Sequence, residues 1–354
     1  MYHVILAGGF GSRFWPESRR DNPKQLLKIM GQDSMIKMTV NRLKKISSPE
    51  NILIVASELL TKKFIAELPE IPLNNFIIEP DGKNTAPAIG LAALHVYDRN
   101  PQGIMGIYPA DHLILNENEF QIIIEKAHKF AEKSSSLITL GIKPTFPATG
   151  YGYIQFDKKS NFDGDIYKVK TFAEKPPIES AERFFNSGEF LWNSGMFIWK
   201  AEVILLEMKT YMPELHESLD AIFDSIHSGN YDIVLDREWE IIQSQSIDYG
   251  IMEKANNVYT LISDFGWNDM GSWQSIYDVF EKDKNGMVIR GDVFSQDSKN
   301  SVVFSNNKFT AVIGADDLVI INTDDATLVM NKEHAQNVKD IVTHLNNSGK
   351  DEYL

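Results

Sequence analysis

Apolar positions along the first 150 residues fall into short runs separated by longer periodic stretches. Val4–Ala7, Asn51–Ala56, Phe76–Ile78, Gly103–Tyr108 and Leu137–Ile142 read as strands. Between them, Ser34–Ile46, Leu59–Leu68, Ala86–Tyr97 and Glu119–Lys133 carry apolar residues at helical spacing. Asn84 or Thr85 is a natural cap for the third helix, and Pro87 suits its first turn, where an N–H has no helical partner. Strands alternating with helices predict a mostly parallel sheet with helices on both faces.

The texture then changes. Residues 150–156 and Ile166–Phe172 read as longer, partly exposed strands, the second ending at Glu174-Lys175-Pro176. A helix over Ile178–Asn186 precedes Leu191–Phe197, where Trp192-Asn193-Ser194-Gly195 reads as a turn. Residues 201–255 are helical by pattern, and Val258–Ile262 is a strand. From Met287 onward, short strand-like pieces (Val302–Phe304, Thr310–Ile313, Leu318–Asn322, Thr327–Met330) alternate with Asn, Asp, Ser and Gly, as in a β-helix coil or small β-domain. A helix over Lys332–Leu345 follows.

Composition narrows the chemistry. The 354 residues suffice for two domains, or one large domain with an appendage. There is no cysteine, which excludes disulfides, thiolate metal sites and a cysteine nucleophile, so any metal must be held by oxygen or imidazole. A net charge of −14 disfavours nucleic acid polymers as partners. No apolar run approaches the ~20 residues of a membrane span, and no leader pattern opens the chain, so a cytoplasmic location is expected.

The candidate chemistry begins where the first strand ends. Gly8, Gly9 and Gly11 let backbone N–H groups approach an anion, and Arg13 and Lys24 add charge for phosphate oxygens. A plain glycine turn is the alternative. The dinucleotide fingerprint would need glycine where Phe14 stands, and the Gly-Lys-Ser/Thr of a P-loop is absent. Asp111, in Pro-Ala-Asp-His, and Asp269, in a Gly- and Trp-rich loop, are two carboxylates able to share a magnesium ion beside a triphosphate, or simply to cap turns. His112 alone makes no ligand set. Lys175 can hold a phosphate and Glu174 can accept from sugar hydroxyls, unless the two form only a surface ion pair. The Asn193 amide could read hydroxyls or merely shape its turn. Phe14, Trp15, Trp192, Trp199, Trp267 and Trp273 are expected in the core.

Taken together, GGFGSRFWPESRR…NPKQ, EP…KNTAPAI, YPADH, TGYGYI, FAEKP, WNSGMF and GWNDMGSW resemble, in order, the motifs of mannose-1-phosphate guanylyltransferases (GDP-mannose pyrophosphorylases). The resemblance covers about residues 3–285 and more weakly the tail. The glycine loop is common to sugar-nucleotide pyrophosphorylases, whereas the FWP–SR run, NTAPAI and WNDMGSW point to the guanylyl, mannose-type branch. It implies a Rossmann-like, mixed but mostly parallel α/β sheet of the nucleotide-diphospho-sugar transferase type over residues 1–285. Residues 286–354 would form a short left-handed β-helix-like region and a terminal helix, which in compact members often makes dimer contacts.

The resemblance also implies a reaction, GTP plus mannose 1-phosphate giving GDP-mannose and pyrophosphate with Mg²⁺, and a set of roles. Gly8, Gly9, Gly11, Arg13 and Lys24 would hold the triphosphate; Glu79, Asn84, Thr85 and Pro87 would surround guanine and ribose. Asp111 and Asp269 would bind magnesium. Gly150, Glu174 and Asn193 would contact mannose, and Lys175 its phosphate. Longer members add a cupin-like isomerase domain; here one small β-rich region and a helix follow, and isomerase activity is not expected. A relative using another nucleotide or sugar phosphate, a dinucleotide-binding oxidoreductase and a non-catalytic sugar-nucleotide sensor are the alternatives. Against the last, Asp111, Lys175 and Asp269 form a set that a pure binder has little use for.

Overall fold

A computed structural model of the chain describes residues 1–162 and 164–354. The chain divides into two compact units, each discontinuous in sequence. The first comprises Met1–Gly8, Val40–Ala110 and Ile114–Trp267; the second comprises Gly9–Thr39, Asp111–Leu113 and Asn268–Leu354.

The strands, in chain order, are β1 (Tyr2–Leu6), β2 (Ile52–Ala56), β3 (Phe76–Ile78), β4 (Ile104–Pro109), the two-residue β5 (Leu113–Ile114), β6 (Leu137–Ile142), β7 (Tyr153–Phe162), β8 (Ile166–Ala173), β9 (Phe190–Lys200), β10 (Val258–Ser263), the two-residue β11 (Trp267–Asn268), β12 (Val288–Gln296), β13 (Val302–Ile313), β14 (Leu318–Asn322) and β15 (Thr327–Asn331). The helices are α1 (Met35–Leu43), α2 (Glu58–Glu67), α3 (Thr85–Arg99), α4 (Glu117–Glu132), α5 (Ile178–Ser187), α6 (Ala201–Tyr211), α7 (Pro213–Ser225), α8 (Tyr231–Ile241), α9 (Trp273–Val279) and α10 (Val338–Asn347).

The first unit is built on a mixed sheet in the order β3-β2-β1-β4-β9-β6-β10-β8-β7. β3, β2, β1 and β4 run parallel, as do β6 and β10, and β9 lies antiparallel between β4 and β6. Central strands are buried on both faces, and β2 (Ile-Leu-Ile-Val-Ala) is buried along its whole length, the pattern of a parallel sheet covered by helices. On α4, Phe120, Ile123, Ile124, Ala127 and Ala131 make the buried stripe, and Asn116 caps its start by accepting from Glu119 N–H at 3.1 Å. Residues of α3, α6, α7 and α8 share one core with Val4, Val55, Ile107 and Trp199.

Several elements depart from the sequence pattern. The Trp-Asn-Ser-Gly segment lies inside the eleven-residue strand β9 rather than in a turn. Gly195, at φ +69°, lets a bulge absorb the residues opposite Leu140. β7 starts only at Tyr153, leaving Gly150 in an exposed bend. β12 alternates polar and apolar residues too weakly to stand out in the sequence, and β13 joins two predicted pieces into one strand. The stretch 201–255 holds three α-helices and a π-type turn over Asp248–Met252. The last helix begins as a 3-10 segment, Lys332–Asn337, before α10.

In the second unit, β12, β13 and β14 stack in parallel and β15 returns antiparallel. Val288, Val302 and Val319 come into register, as do Phe304 and Ile321, so like side chains build a buried ladder. Asp297, Asn300 and Asp317 occupy positive φ at the corners, a conformation these residue types tolerate. Phe14, Trp15, Leu27, Ile29 and Met35 pack into this core with Trp273, Ile276 and Phe304. Trp273 Nε1 donates to Trp15 O at 3.1 Å, and Trp15 Nε1 donates to Tyr353 O at 2.8 Å.

Candidate active site

In the second unit the glycine loop closes on itself. Gly11 takes φ +65°, and a Cβ there would come within 2.3 Å of Lys24 Cβ, so glycine is required both by conformation and by space. Ser18 donates to Gly11 O at 2.8 Å, Lys24 N–H to Phe10 O at 3.3 Å, and Gln25 Nε2 to Gly9 O at 2.6 Å. Arg13 stands exposed on the short 3-10 turn Ser12–Phe14.

Lys24 is buried, and its ammonium donates to Asp111 Oδ2 at 2.7 Å and to Asp269 O at 2.9 Å. Burial is the largest influence on Asp111 and opposes its ionisation, but the Lys24 ammonium, His112 and the hydrogen bonds from Lys24 and the backbone together outweigh it and hold the carboxyl below the usual carboxylate range. Asp269 Oδ1 accepts from Gly271 N–H at 3.0 Å, and Met270 between them is held at φ +48°. No cluster of three or more His, Asp or Glu side chains able to hold a metal occurs among the described residues. Asp111 and Asp269 are oxygen donors of the kind Mg²⁺ takes, one or two carboxylates with phosphate oxygens and water completing the shell, although Asp269 meets Lys24 through its backbone oxygen.

In the first unit, Glu79 follows β3 and is buried. Its carboxylate lies over Gly8, where a Cβ would approach Oε1 to 2.2 Å. Burial, and then the Asp81 carboxylate, push Glu79 up to about 7. Asn84, at φ +70°, caps α3 by accepting from Thr85 N–H at 2.9 Å, and Pro87 is buried in the first turn. Thr85 Oγ1 accepts from Ile247 N–H at 2.9 Å, which ties the helix start to the segment before Asp248.

A second cluster in this unit gathers Glu174, Lys175 and Asn193. Lys175 Nζ pairs with Glu174 Oε1 at 2.9 Å, while its own backbone sits at φ +46°. Lys175 and Met270 are the described residues other than Gly, Asn and Asp at positive φ, and each adjoins a candidate site residue. Asn193 Nδ2 donates to Asp248 Oδ1 at 2.7 Å. The space at Gly150 is open, whereas a Cβ on Gly152 would meet Glu174 Oε2 at 2.2 Å. Gln25 and Gly152, which lie within the NPKQ and TGYGYI motifs, and Asp248, which lies outside every quoted motif, also belong to these constellations, and no sequence signal marks Asp248. Of the aromatics, Phe14, Trp15, Trp192, Trp199 and Trp273 are buried, and Trp267 is half-buried, edge-on to Tyr151 at 5.2 Å.

Residues 2–286 match the family model described as Nucleotidyl transferase, and residues 291–345 match the MannoseP isomerase/GMP-like beta-helix domain. The crystal structure of a mannose-1-phosphate geranyltransferase from Thermus thermophilus superposes with a TM-score of 0.89 at 27% identity, over 98% of this chain and 99% of that one. The fold is thus that of a nucleotidyltransferase with a β-helix-like C-terminal region. A mannose-1-phosphate guanylyltransferase of Escherichia coli is 40% identical over 359 residues, covering 99% of this chain and 76% of the relative. Alginate biosynthesis protein AlgA of Pseudomonas aeruginosa is 36% identical over 357 residues, covering 99% and 73%. The chain belongs to the mannose-1-phosphate guanylyltransferase family.

Proposed function

We propose that the protein transfers GMP from GTP to mannose 1-phosphate, releasing pyrophosphate, with Mg²⁺ as cofactor. The observation that carries the reading is the Lys24 ammonium held between Asp111 and Asp269 behind the glycine loop. An oxygen of the sugar phosphate attacks the α-phosphorus, and the bond from that phosphorus to the β-bridging oxygen breaks in line. Pyrophosphate leaves with that electron pair, and no covalent intermediate is formed. Two anions must meet, so charge neutralisation and alignment dominate the barrier.

In this reading Gly8, Gly9, Gly11, Arg13 and Lys24 bind the triphosphate, and Glu79, Asn84, Thr85 and Pro87 the guanosine. Gly150, Glu174 and Asn193 bind mannose, and Lys175 its phosphate. Asp111 and Asp269 would hold Mg²⁺, which supplies charge neutralisation at the phosphate oxygens. In this reading residues 1–285 are the catalytic domain and 286–354 the β-helix-like region, although Gly9–Thr39, Asp111–Leu113 and residues 268–285 pack into one unit with the latter. The exposed Phe294, Phe309, Ile313 and Val329 give that region an apolar surface suited to a homodimer, which sedimentation velocity tests.

Pyrophosphate release with GTP and mannose 1-phosphate, against ATP and glucose 1-phosphate, tests the reaction. The guanine–mannose pair is expected to be preferred and EDTA to abolish release. Preference for another pair overturns the substrate assignment, and unchanged release in EDTA overturns the metal.

A further inference from the structure

Asp248 is a carboxylate that the roles above leave without a task, yet its surroundings are closely specified. It opens the π-type turn Asp248–Met252, a rare geometry that recurs at functional positions. The segment before it is pinned to the start of α3 from two sides. Ala86 N–H donates to Gln245 O at 3.0 Å, and Ile247 N–H donates to Thr85 Oγ1 at 2.9 Å.

Asp248 Oδ1 receives the Asn193 Nδ2–H at 2.7 Å. The amide oxygen of Asn193 is engaged separately, accepting from Gly195 N–H at 3.1 Å and from the Thr139 hydroxyl at 3.3 Å. These partners fix the amide in one orientation. Turned over, it would set its oxygen against the Asp248 carboxylate and its NH₂ against the Gly195 N–H. Backbone geometry reinforces the arrangement, because Asn193 N–H donates to Gly152 O at 2.8 Å. A Cβ on Gly152 would meet Glu174 Oε2 at 2.2 Å and Asn193 Cβ at 3.3 Å, so Glu174 and Asn193 close on the same glycine. Burial and then the nearby Glu174 carboxylate push Asp248 up to about 6, which marks the two acids as neighbours.

A carboxylate, an oriented amide N–H and a second carboxylate side by side suit a polyol, whose hydroxyls both donate and accept. We infer that Asp248 is the positioning residue of the sugar site: it locks the Asn193 amide beside Glu174 so that the pair reads the sugar hydroxyls. The inference rests on the proposed reaction. It adds a residue outside the recognised motifs and predicts that its effect passes through Asn193.

The test is steady-state kinetics on the full chain with GTP and mannose 1-phosphate. Asp248→Ala is expected to raise the KM for mannose 1-phosphate on the order of ten- to a hundredfold, as for loss of a hydrogen bond to a charged group. The KM for GTP should stay within about twofold. Asp248→Asn keeps the shape and an acceptor, and its KM should rise by less, though still severalfold. In an Asn193→Ala background, Asp248→Ala should add little, because the amide it positions is gone. Equal rises in both KM values, an unchanged sugar-phosphate KM, or full additivity with Asn193→Ala overturns the positioning role. Where the alanine variant does not fold, the asparagine variant decides by the same two KM values. Absence of turnover in the unaltered protein contradicts the reaction itself; turnover with an unmoved sugar-phosphate KM contradicts only the role of Asp248.

Discussion

The ammonium of Lys24 reaches Asp111 Oδ2 at 2.7 Å while also donating to the backbone oxygen of Asp269 at 2.9 Å. Lys24 thus ties the Asp111 carboxylate to the backbone of the distant Asp269 loop, and its charge helps hold Asp111 ionised. Asp111→Asn removes that charge with little change of shape. Turnover is expected to fall about 10²- to 10³-fold, the scale of losing one electrostatic contact to the transferring group. GTP affinity, measured by calorimetry, should change only severalfold. Near-normal turnover in this variant would contradict the metal role proposed for Asp111.

In the proposed reaction Lys175 gives up backbone stability for sugar-phosphate binding. Its side chain is 64% exposed, and its backbone holds φ +46°, a strained conformation for a lysine. Lys175→Gly relieves the backbone and should stabilise the protein by about 0.5–1 kcal/mol in urea melts. The same variant should raise the KM for mannose 1-phosphate about tenfold or lower kcat. A variant that is both unstrained and fully active would assign Lys175 no part in sugar-phosphate binding.

Glu79 makes stability fall with rising pH. Its carboxyl is pushed up to about 7 in the folded chain, from an ordinary 4.5. Below pH 4.5 it is protonated in both states. Between 4.5 and 7 the unfolded chain releases a proton that the folded chain retains, so unfolding gains ground as pH rises. The shift corresponds to about 3 kcal/mol as an upper scale. Unfolding free energies at pH 5 and pH 8 should therefore differ less in Glu79→Gln than in the unaltered chain. An identical pH slope in both would show that Glu79 titrates normally.

Much of the parallel half of the fold is legible in the sequence because its strands are continuous apolar runs, as in Ile52–Ala56. The Asn193 segment misleads because Asn-Ser-Gly has turn composition; its glycine serves a bulge within a strand instead. β12 is hidden because Arg290, Gly291 and Asp292 interrupt its apolar pattern. Asp111 and Asp269 are recognisable from their loops, but that Lys24 joins them is a contact across 87 and 245 residues, which no local pattern encodes. Asp248 is invisible for the same reason: its meaning lies in Asn193, 55 residues away.

Long-range packing also decides what supports the glycine loop. Phe14 and Trp273 lie with ring centroids 5.1 Å apart, and Trp273 is edge-on to Phe304 of β13 at 5.6 Å. Trp273→Ala should cost about 3–5 kcal/mol in urea unfolding. At temperatures where the variant remains folded, turnover should fall more than mannose 1-phosphate affinity, because Gly11 and Arg13 lead directly into Phe14. A loss under about 1 kcal/mol would show that the packing around Phe14 is replaceable.

The most direct measurement is initial pyrophosphate release by the purified protein with GTP, mannose 1-phosphate and Mg²⁺, run beside ATP and glucose 1-phosphate. The expected result is metal-dependent release and stoichiometric GDP-mannose for the guanine–mannose pair, with the other pairs at least about tenfold slower. No release with any pair, or nucleotide hydrolysis without a sugar-nucleotide product, would contradict the account.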